Sequence, residues 1–308
     1  ARQTKNLFGF LNYCATMPAS EAKSKNTPAA AFRQNMPIHK TQAPEIHESK
    51  APEIQKAFDY PFRIRDVPAE EISEGRYVTR FAQTPEEIDA ALRLRFKVFN
   101  LELNEGLESS FLTGRDEDEF DRTCHHLIVI EKSTNALVGT YRLRTVEMAR
   151  DAHGFYSSGE FKIEDLPSNV LHESLEIGRA CIAREHRNSR VLFLLWKGLA
   201  LYATLNNKRY LFGCCSLFSQ DCADGKKALR QLKRDGYFHE CFRVAPREEC
   251  ACRPEDFLTE EDSDEEIELP KLFQTYLRIG AKACGEPVID RHFKTIDFFV
   301  IFDRTTIA

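Results

Sequence analysis

The sequence predicts an α/β (α+β) fold, a mixed central sheet with helices on both faces, and three observations carry that expectation. Strand-like and helix-like patterns follow one another from Tyr77 to Phe302 as strand, helix, hairpin, strand, helix, strand, helix, strand, helix, strand. Residues 191–205 are apolar around most of a helical circumference, which marks a core helix. Residues 296–302 (IDFFVIF) are apolar at successive positions, so both faces of that strand are covered and it belongs at the centre of a sheet.

Taken in order, the chain opens with residues 1–62, where prolines at 18, 28, 37, 44, 52 and 61 fall among Ala, Ser, Lys and Gln. Such a stretch cannot bury enough apolar surface to fold alone and reads as a poorly ordered tail. The folded domain is expected over 63–308. Residues 77–81 alternate as a strand. Thr84-Pro85-Glu86-Glu87 is a helix start, with Thr as N-cap and Pro in the first turn, and that helix runs to about Asn100. Residues 126–131 and 136–145 form a hairpin about Lys132–Asn135. Residues 174–183 are a strand, 209–218 another, and 222–236 a helix whose exposed face carries Lys226, Lys227, Arg230, Lys233 and Arg234. Residues 241–244 are expected as a strand and 269–284 as a helix stopped by Gly285. The stretch 255–268 holds nine acidic residues in fourteen and reads as a solvated loop.

Composition narrows the function. A net charge of −5 excludes nucleic-acid binding that rests on overall charge. Ten scattered cysteines in a chain this size read as reduced thiols of a cytoplasmic protein. No run reaches the roughly 18–20 apolar residues of a membrane span. Cys222, His239, Cys241, Cys250 and Cys252 fit no standard zinc spacing, so no metal is expected. His292-x4-Asp297 matches a spacing seen in glycerolipid acyltransferases, but Asp297 begins a strand and the spacing carries little weight.

The chemistry concentrates in 174–202, SLEIGRACIAREHRNSRVLFLLWKGLALY. Glu176 and Arg179 are charged residues in an otherwise apolar strand. Arg184, Arg187 and Arg190 stand in the turn before the core helix, whose N-terminus offers free N–H groups and a partial positive charge, a place to hold a phosphate. Read without its neighbours, the same turn is an ordinary solvated loop.

Four elements in this order resemble the acyl-carrier-protein-dependent branch of the GNAT N-acyltransferases. They are Arg95-x-x-x-Phe99, Asp118-Glu-Phe-Asp121, Arg142-Leu143 and Glu176-Ile-Gly-Arg179. That branch includes acyl-homoserine-lactone synthases, N-acyl amino acid synthases, and ornithine- and glycine-lipid N-acyltransferases. Leu211-Phe-Gly-Cys-Cys-Ser216, Pro287-Val-Ile-Asp290 and Asp297-Phe-Phe299 look like the lipid-forming subfamily. The resemblance covers about 77–303. It implies a GNAT-like, mostly antiparallel sheet splayed at the fourth strand, and transfer of a long-chain acyl group, 3-hydroxylated or not, to the amino group of ornithine or glycine for aminolipid synthesis. The donor would be acyl-phosphopantetheine on acyl carrier protein, or acyl-CoA, with no bound cofactor. The alternatives are an acetyl-CoA-dependent N-acetyltransferase and a non-catalytic binding module of the same fold. The expected location is cytoplasmic, with peripheral membrane contact as a further partner.

On this resemblance Glu176 is the expected base, directly or through a water, and Arg179 holds the acceptor carboxylate or steadies the acidic cluster. Arg95, Phe99, Asp118, Asp121 and Arg142 are the expected substrate-binding residues, with Asp118 and Asp121 either ordering the entrance with Arg95 and Arg142 or binding a cationic acceptor. Backbone N–H groups near Cys181 are expected to face the oxyanion. The turn 184–190 lacks the glycines of a pyrophosphate loop, which suits a single phosphate better. Arg184, Arg187, Arg190, Lys226 and Arg230 are the expected carrier-binding residues. Glu176 and Arg179 share one face only if the strand is bulged between them, and Gly178 is the expected place.

Overall fold

The computed structural model describes residues 63–252 and 266–306. The expected tail, 1–62, and most of the acidic stretch, 255–265, lie outside the described residues.

One nine-stranded sheet organises the molecule. Strand β1 (Ile72–Glu74) pairs with β2 (Tyr77–Phe81), which pairs with β3 (His125–Glu131), and β3 with β4 (Ala136–Thr145), all antiparallel. Next comes β5 (Ser174–Ile182), antiparallel to β4, and then β6 (Tyr210–Leu217), parallel to β5. Strand β9 (Thr295–Asp303) lies antiparallel to β6, and its other edge is shared by β7 (Lys282–Ala283) and β8 (Val288–Asp290). The sheet is thus mixed and mostly antiparallel, as expected.

Helix α1 (Pro85–Phe96) starts where its signals place it, with Thr84 Oγ1 accepting from Glu87 N at 3.4 Å, and runs on as a π-helical turn, Lys97–Glu102. Short helices α2 (Ser110–Thr113), α3 (Val146–Asp151) and α4 (Ser168–His172) sit in the connections. Helix α5 (Ser189–Leu205) is the core helix, capped by Asn188, whose side chain accepts from Arg190 N and Val191 N. Its Val191, Leu195 and Leu199 pack on Leu127, Tyr141, Leu143 and Leu175 of the sheet. Gly198 allows this approach, because a Cβ there would sit 2.5 Å from the Leu127 side chain.

Helices α6 (Cys222–Arg234) and α7 (Lys271–Arg278) cover Phe298, Val300 and Phe302 of β9, while Phe299 and Ile301 face the opposite core with Phe155, Phe161 and Phe212. The strand is apolar on both faces because both are packed.

Four expectations need correction. The helix over 269–284 is only α7: Gly280, at φ +105°, reverses the chain, Ala281 N bonds back to Tyr276 O, and the rest extends into β7. Residues 241–244 do not form a strand, although Val244 N donates to Cys284 O. Cys222 and Cys252 are joined in a disulfide, so the ten thiols are not all free. The bulge in β5 lies one residue beyond Gly178, at Arg179.

Candidate active site

The ladder fixes this bulge. Gly178 pairs with Arg142 and Cys181 with Thr140, so Arg179 and Ala180 together oppose Tyr141. Arg179 itself takes the left-handed conformation, φ 49°. The extra residue shifts the alternation of side chains. Leu175, Ile177, Ala180 and Ile182 therefore all pack toward α5, and Glu176 and Arg179 both meet Tyr156 on the other face.

Pairing between β5 and β6 covers only Ser174–Glu176 against Tyr210–Phe212. Beyond it the two strands part, and a cavity of about 1070 Å³ opens between them. Its wall is apolar over Phe99, Trp196, Leu199, Phe273 and Tyr276, and charged at the end where Glu176, Arg179, Asp290 and Asp297 stand.

Glu176 is 5% exposed and accepts three hydrogen bonds, from Tyr156 N at 2.9 Å, Ser157 N at 2.7 Å and Ser157 Oγ at 2.7 Å. The Arg179 guanidinium lies 4.7 Å from the Tyr156 ring centre and 4.1 Å from that of Phe293.

Arg179 also closes a ring of alternating charges. Arg95 bonds Asp116 and Asp121, Arg142 bonds Asp121 and Asp118, and Arg179 pairs with Asp118 and Asp116. Three guanidiniums meet three carboxylates, which is how such charges tolerate burial. Burial works against the Asp121 carboxylate, but Arg95 and Arg142 outweigh it and hold the group well below the usual range. His126, beside it, is lowered by burial to about 4.

The expected substrate contacts thus divide. Phe99 and Arg142 line the cavity. Asp118, 14% exposed, faces a neighbouring surface hollow. Arg95 and Asp121, each 1% exposed, stand behind the cavity as the ring's buried side, where they position Arg142, Asp118 and Arg179. Asp116, fully buried, completes the ring and was not singled out from the sequence. It adjoins the run Asp116–Asp121, whose acidity is the one signal that marks it.

The expected carrier-binding residues fall into two groups at the same end of the parallel pair. Arg184, Arg187 and Arg190 are exposed after β5, where Arg184 and Arg187 both pair with Glu102. Lys226 and Arg230 are exposed on α6, after β6.

Sequence reasoning also missed a second acidic group. Glu160, Cys214 and Asp297 bring their ligand-type atoms within 4.8 Å of one another. Burial, then Asp297 and Asp290, push the Glu160 carboxyl well above the ordinary range. Burial and Asp290 push Asp297 up to about 6, and burial and Asp297 push Glu105 up to about 7. Glu160 lies in a connection with no periodicity, and only tertiary structure brings it to β6 and β9.

Residues 94–197 match the Acetyltransferase (GNAT) domain. The chain is 32% identical over 238 residues to the L-ornithine N(alpha)-acyltransferase of Rhizobium meliloti (strain 1021), covering 72% of this chain and 78% of that protein. It is 33% identical over 244 residues to that of Brucella abortus (strain 2308), covering 74% and 84%. Among solved structures it is similar to FeeM, an N-acyl amino acid synthase from uncultured soil microbes, at 12% identity over 75% of this chain and 92% of that one, with a TM-score of 0.43. Sequence identity of this extent over most of both chains places the protein in a family of N-acyltransferases: the chain belongs to the L-ornithine N(alpha)-acyltransferase family.

Proposed function

We propose that the protein moves a long-chain acyl group, 3-hydroxylated or not, from acyl carrier protein to the α-amino group of L-ornithine. The observation that carries this reading is the parting of β5 from β6 after Glu176, which joins an apolar cavity to a charged end in a member of this family. The acyl chain occupies the apolar part. The pantetheine arm enters between the strands, where the β5 backbone beyond Glu176 has left its ladder with β6, and N–H groups near Cys181 face the oxyanion.

Arg179 holds the acceptor carboxylate. The α-ammonium must lose a proton before it attacks the thioester. Ser157 Oγ already donates to Glu176, so the hydroxyl takes the amine proton as it passes its own to the carboxylate. The C–N bond forms, the C–S bond breaks, and the thiolate leaves as it takes up the second proton that the attacking nitrogen gives up. Asp116 and Asp118 hold Arg179, and Arg95, Arg142 and Asp121 complete the ring that positions those two carboxylates.

Arg184, Arg187, Arg190, Lys226 and Arg230 meet the acidic carrier and its phosphate, which competes with Glu102 for Arg184 and Arg187. Among the described residues no helix is long and apolar enough to cross a membrane. Peripheral contact from the cytoplasmic side would use Leu101, Phe111 and Leu112, which are 60%, 58% and 90% exposed.

The test is incubation with palmitoyl-carrier protein, palmitoyl-CoA or acetyl-CoA and a panel of amino acids, read by mass spectrometry. Palmitoyl-ornithine from the carrier-linked donor is expected. Product from acetyl-CoA alone would make the protein an acetyltransferase, and none from any donor a binding module.

A further inference from the structure

The charged end of the cavity has two poles. One is Arg179, held between the Tyr156 and Phe293 rings. The other is the acidic group of Asp290, Asp297 and Glu105, which line the cavity, with Glu160 buried behind them against Cys214. These poles are unequal. Arg179 is the cation that faces the acidic group, and it is already paired with Asp116 and Asp118.

Two buried polar atoms at this pole lack hydrogen-bond partners. Asp297, 4% exposed, has none at Oδ1, and Thr295, 2% exposed, has none at Oγ1. Both residues line the cavity. A buried acceptor without a donor is costly, and native proteins rarely leave one. Asp290 is differently placed: its Oδ1 accepts from His292 N at 2.8 Å and Phe293 N at 3.0 Å, which shapes the turn that carries Phe293. Asp297 has no such duty at Oδ1.

The separation of this pole from Ser157 suits a particular ligand. Cys214 lines the cavity with its Sγ 3.6 Å from Ser157 Oγ and within 4.8 Å of an Asp297 carboxylate oxygen, so one sulfur atom separates the proposed proton acceptor from the acidic group. The two nitrogens of ornithine are five bonds apart, roughly 6 Å when extended, so one molecule can reach from one to the other. An α-amine at Ser157 therefore places a side-chain ammonium among the carboxylates.

We propose that Asp297, with Glu105 beside it and Glu160 behind it, is the subsite for the acceptor's side-chain ammonium and sets the preference for a cationic amino acid over a neutral one. This rests on the proposed acyl transfer to ornithine and adds the residues that choose the acceptor. An ammonium supplies the missing donors to Asp297 Oδ1 and Thr295 Oγ1 takes up the remaining coordination. It also relieves the repulsion among carboxyls that burial and mutual proximity otherwise keep partly protonated. A divalent metal on Glu160, Cys214 and Asp297 is the competing occupant. The same burial, with Glu160 and Asp297 nearby, pushes the Cys214 thiol well above its ordinary value, away from the thiolate that a metal binds.

L-Norvaline has the ornithine skeleton without the second amine, and it separates these outcomes. Calorimetric titration of L-ornithine and L-norvaline is compared on the wild type, Asp297→Asn and Glu160→Gln, with kcat/KM for acyl transfer to each. The wild type should prefer ornithine by on the order of 10⁴-fold in kcat/KM, since a site built for a polar group rejects the analogue that lacks it. Asp297→Asn should remove most of that preference by weakening ornithine alone, through KM more than kcat. Glu160→Gln should reduce it in the same sense, and supplies the comparison where the Asp297 variant fails to fold. Equal affinity of the wild type for the two amino acids would overturn the assignment. So would an Asp297→Asn variant that keeps the preference or loses both ligands equally, or activity lost to a chelator and restored by a divalent cation. Ornithine bound selectively without acyl transfer would instead sink the functional reading and leave the subsite standing.

Discussion

A side chain on Gly213 would meet the main chain of Ile177: a Cβ there would lie 2.3 Å from the Ile177 carbonyl oxygen. This contact sits one residue past the last β5–β6 pair, where the two strands begin to part. Gly213→Ala must push the strands apart or tilt Ile177, which reshapes the root of the slot. The expected result is a stability loss of about 1–3 kcal/mol in chemical denaturation and a marked fall in acyl transfer. Wild-type stability and turnover together would show that the contact does not shape the slot.

Asp116 bridges Arg95 and Arg179 inside the charge ring. Asp116→Asn leaves the ring with an excess cation in a buried place, at a cost of about 3–5 kcal/mol. Denaturant unfolding measures it directly, and a change below 1 kcal/mol would mean that water or rearrangement compensates.

Ser157→Ala keeps the two backbone bonds to Glu176 and removes the hydroxyl between it and the amine. Turnover should fall by about 10²–10⁴-fold with the ornithine KM little changed. Glu176→Gln should fall at least as far, and also loosen Tyr156, because an amide N–H₂ cannot accept from both backbone donors. A normal kcat in Ser157→Ala would move the proton path elsewhere.

The acidic pole predicts a pH-dependent ligand effect. Asp297 is raised from 3.8 to about 6 and Glu105 from 4.5 to about 7. A raised carboxyl favours the folded state below its unfolded value, and that contribution is lost as pH climbs through the folded one. An ammonium restores the ionised form, so the rise in Tm given by ornithine should grow between pH 5.5 and 8. Norvaline should show no such trend. The titratable groups that face Asp297 are Glu160, Asp290, Glu105, Cys214 and Arg179; Arg179 and the Ser216 and Thr295 side chains pull its carboxyl down, and burial and Asp290 outweigh them.

His126 gives the opposite window. Its folded value of about 4 lies below the ordinary 6.5, so the fold gains from its neutral form above 6.5 and loses that gain as pH falls toward 4. His126→Gln should flatten the loss of stability over this range in thermal melts taken at each pH.

Lys226→Glu together with Arg230→Glu should raise KM for palmitoyl-carrier protein and leave palmitoyl-CoA turnover nearly unchanged, with the difference shrinking at high salt. Equal loss with both donors would place these residues in the fold or on the phosphate, not on the carrier surface.

Much of the scaffold was legible in local pattern. Thr84 and Pro85 announced α1, the apolar circumference of 191–205 announced α5, and IDFFVIF announced a strand packed on both faces. These signals work because capping and burial periodicity act over a few residues. The need for a bulge between Glu176 and Arg179 was also legible, since strand alternation forbids two residues three apart from sharing a face. Its place was not. Glycine is the residue that local rules nominate for a strained backbone, yet Arg179 itself takes the left-handed conformation, held by Asp118, Tyr156 and Phe293. The helix over 269–284 failed for the converse reason: Gly280 is a local signal for a stop, but amphipathic residues on both sides of it masked the turn.

By itself, then, the sequence determined α1, the β3–β4 hairpin, the core helix, the central strand and the charged pair Glu176 and Arg179 in an apolar strand, because each is encoded by neighbours in the chain. Tertiary structure alone decided that Asp116 closes a ring with Arg95 and Arg179, that Ser157 reaches Glu176, and that Glu160 joins Asp297 across Cys214. Those residues come from separate connections and strands. Their chemistry arises from burial and mutual distance, which no local pattern carries.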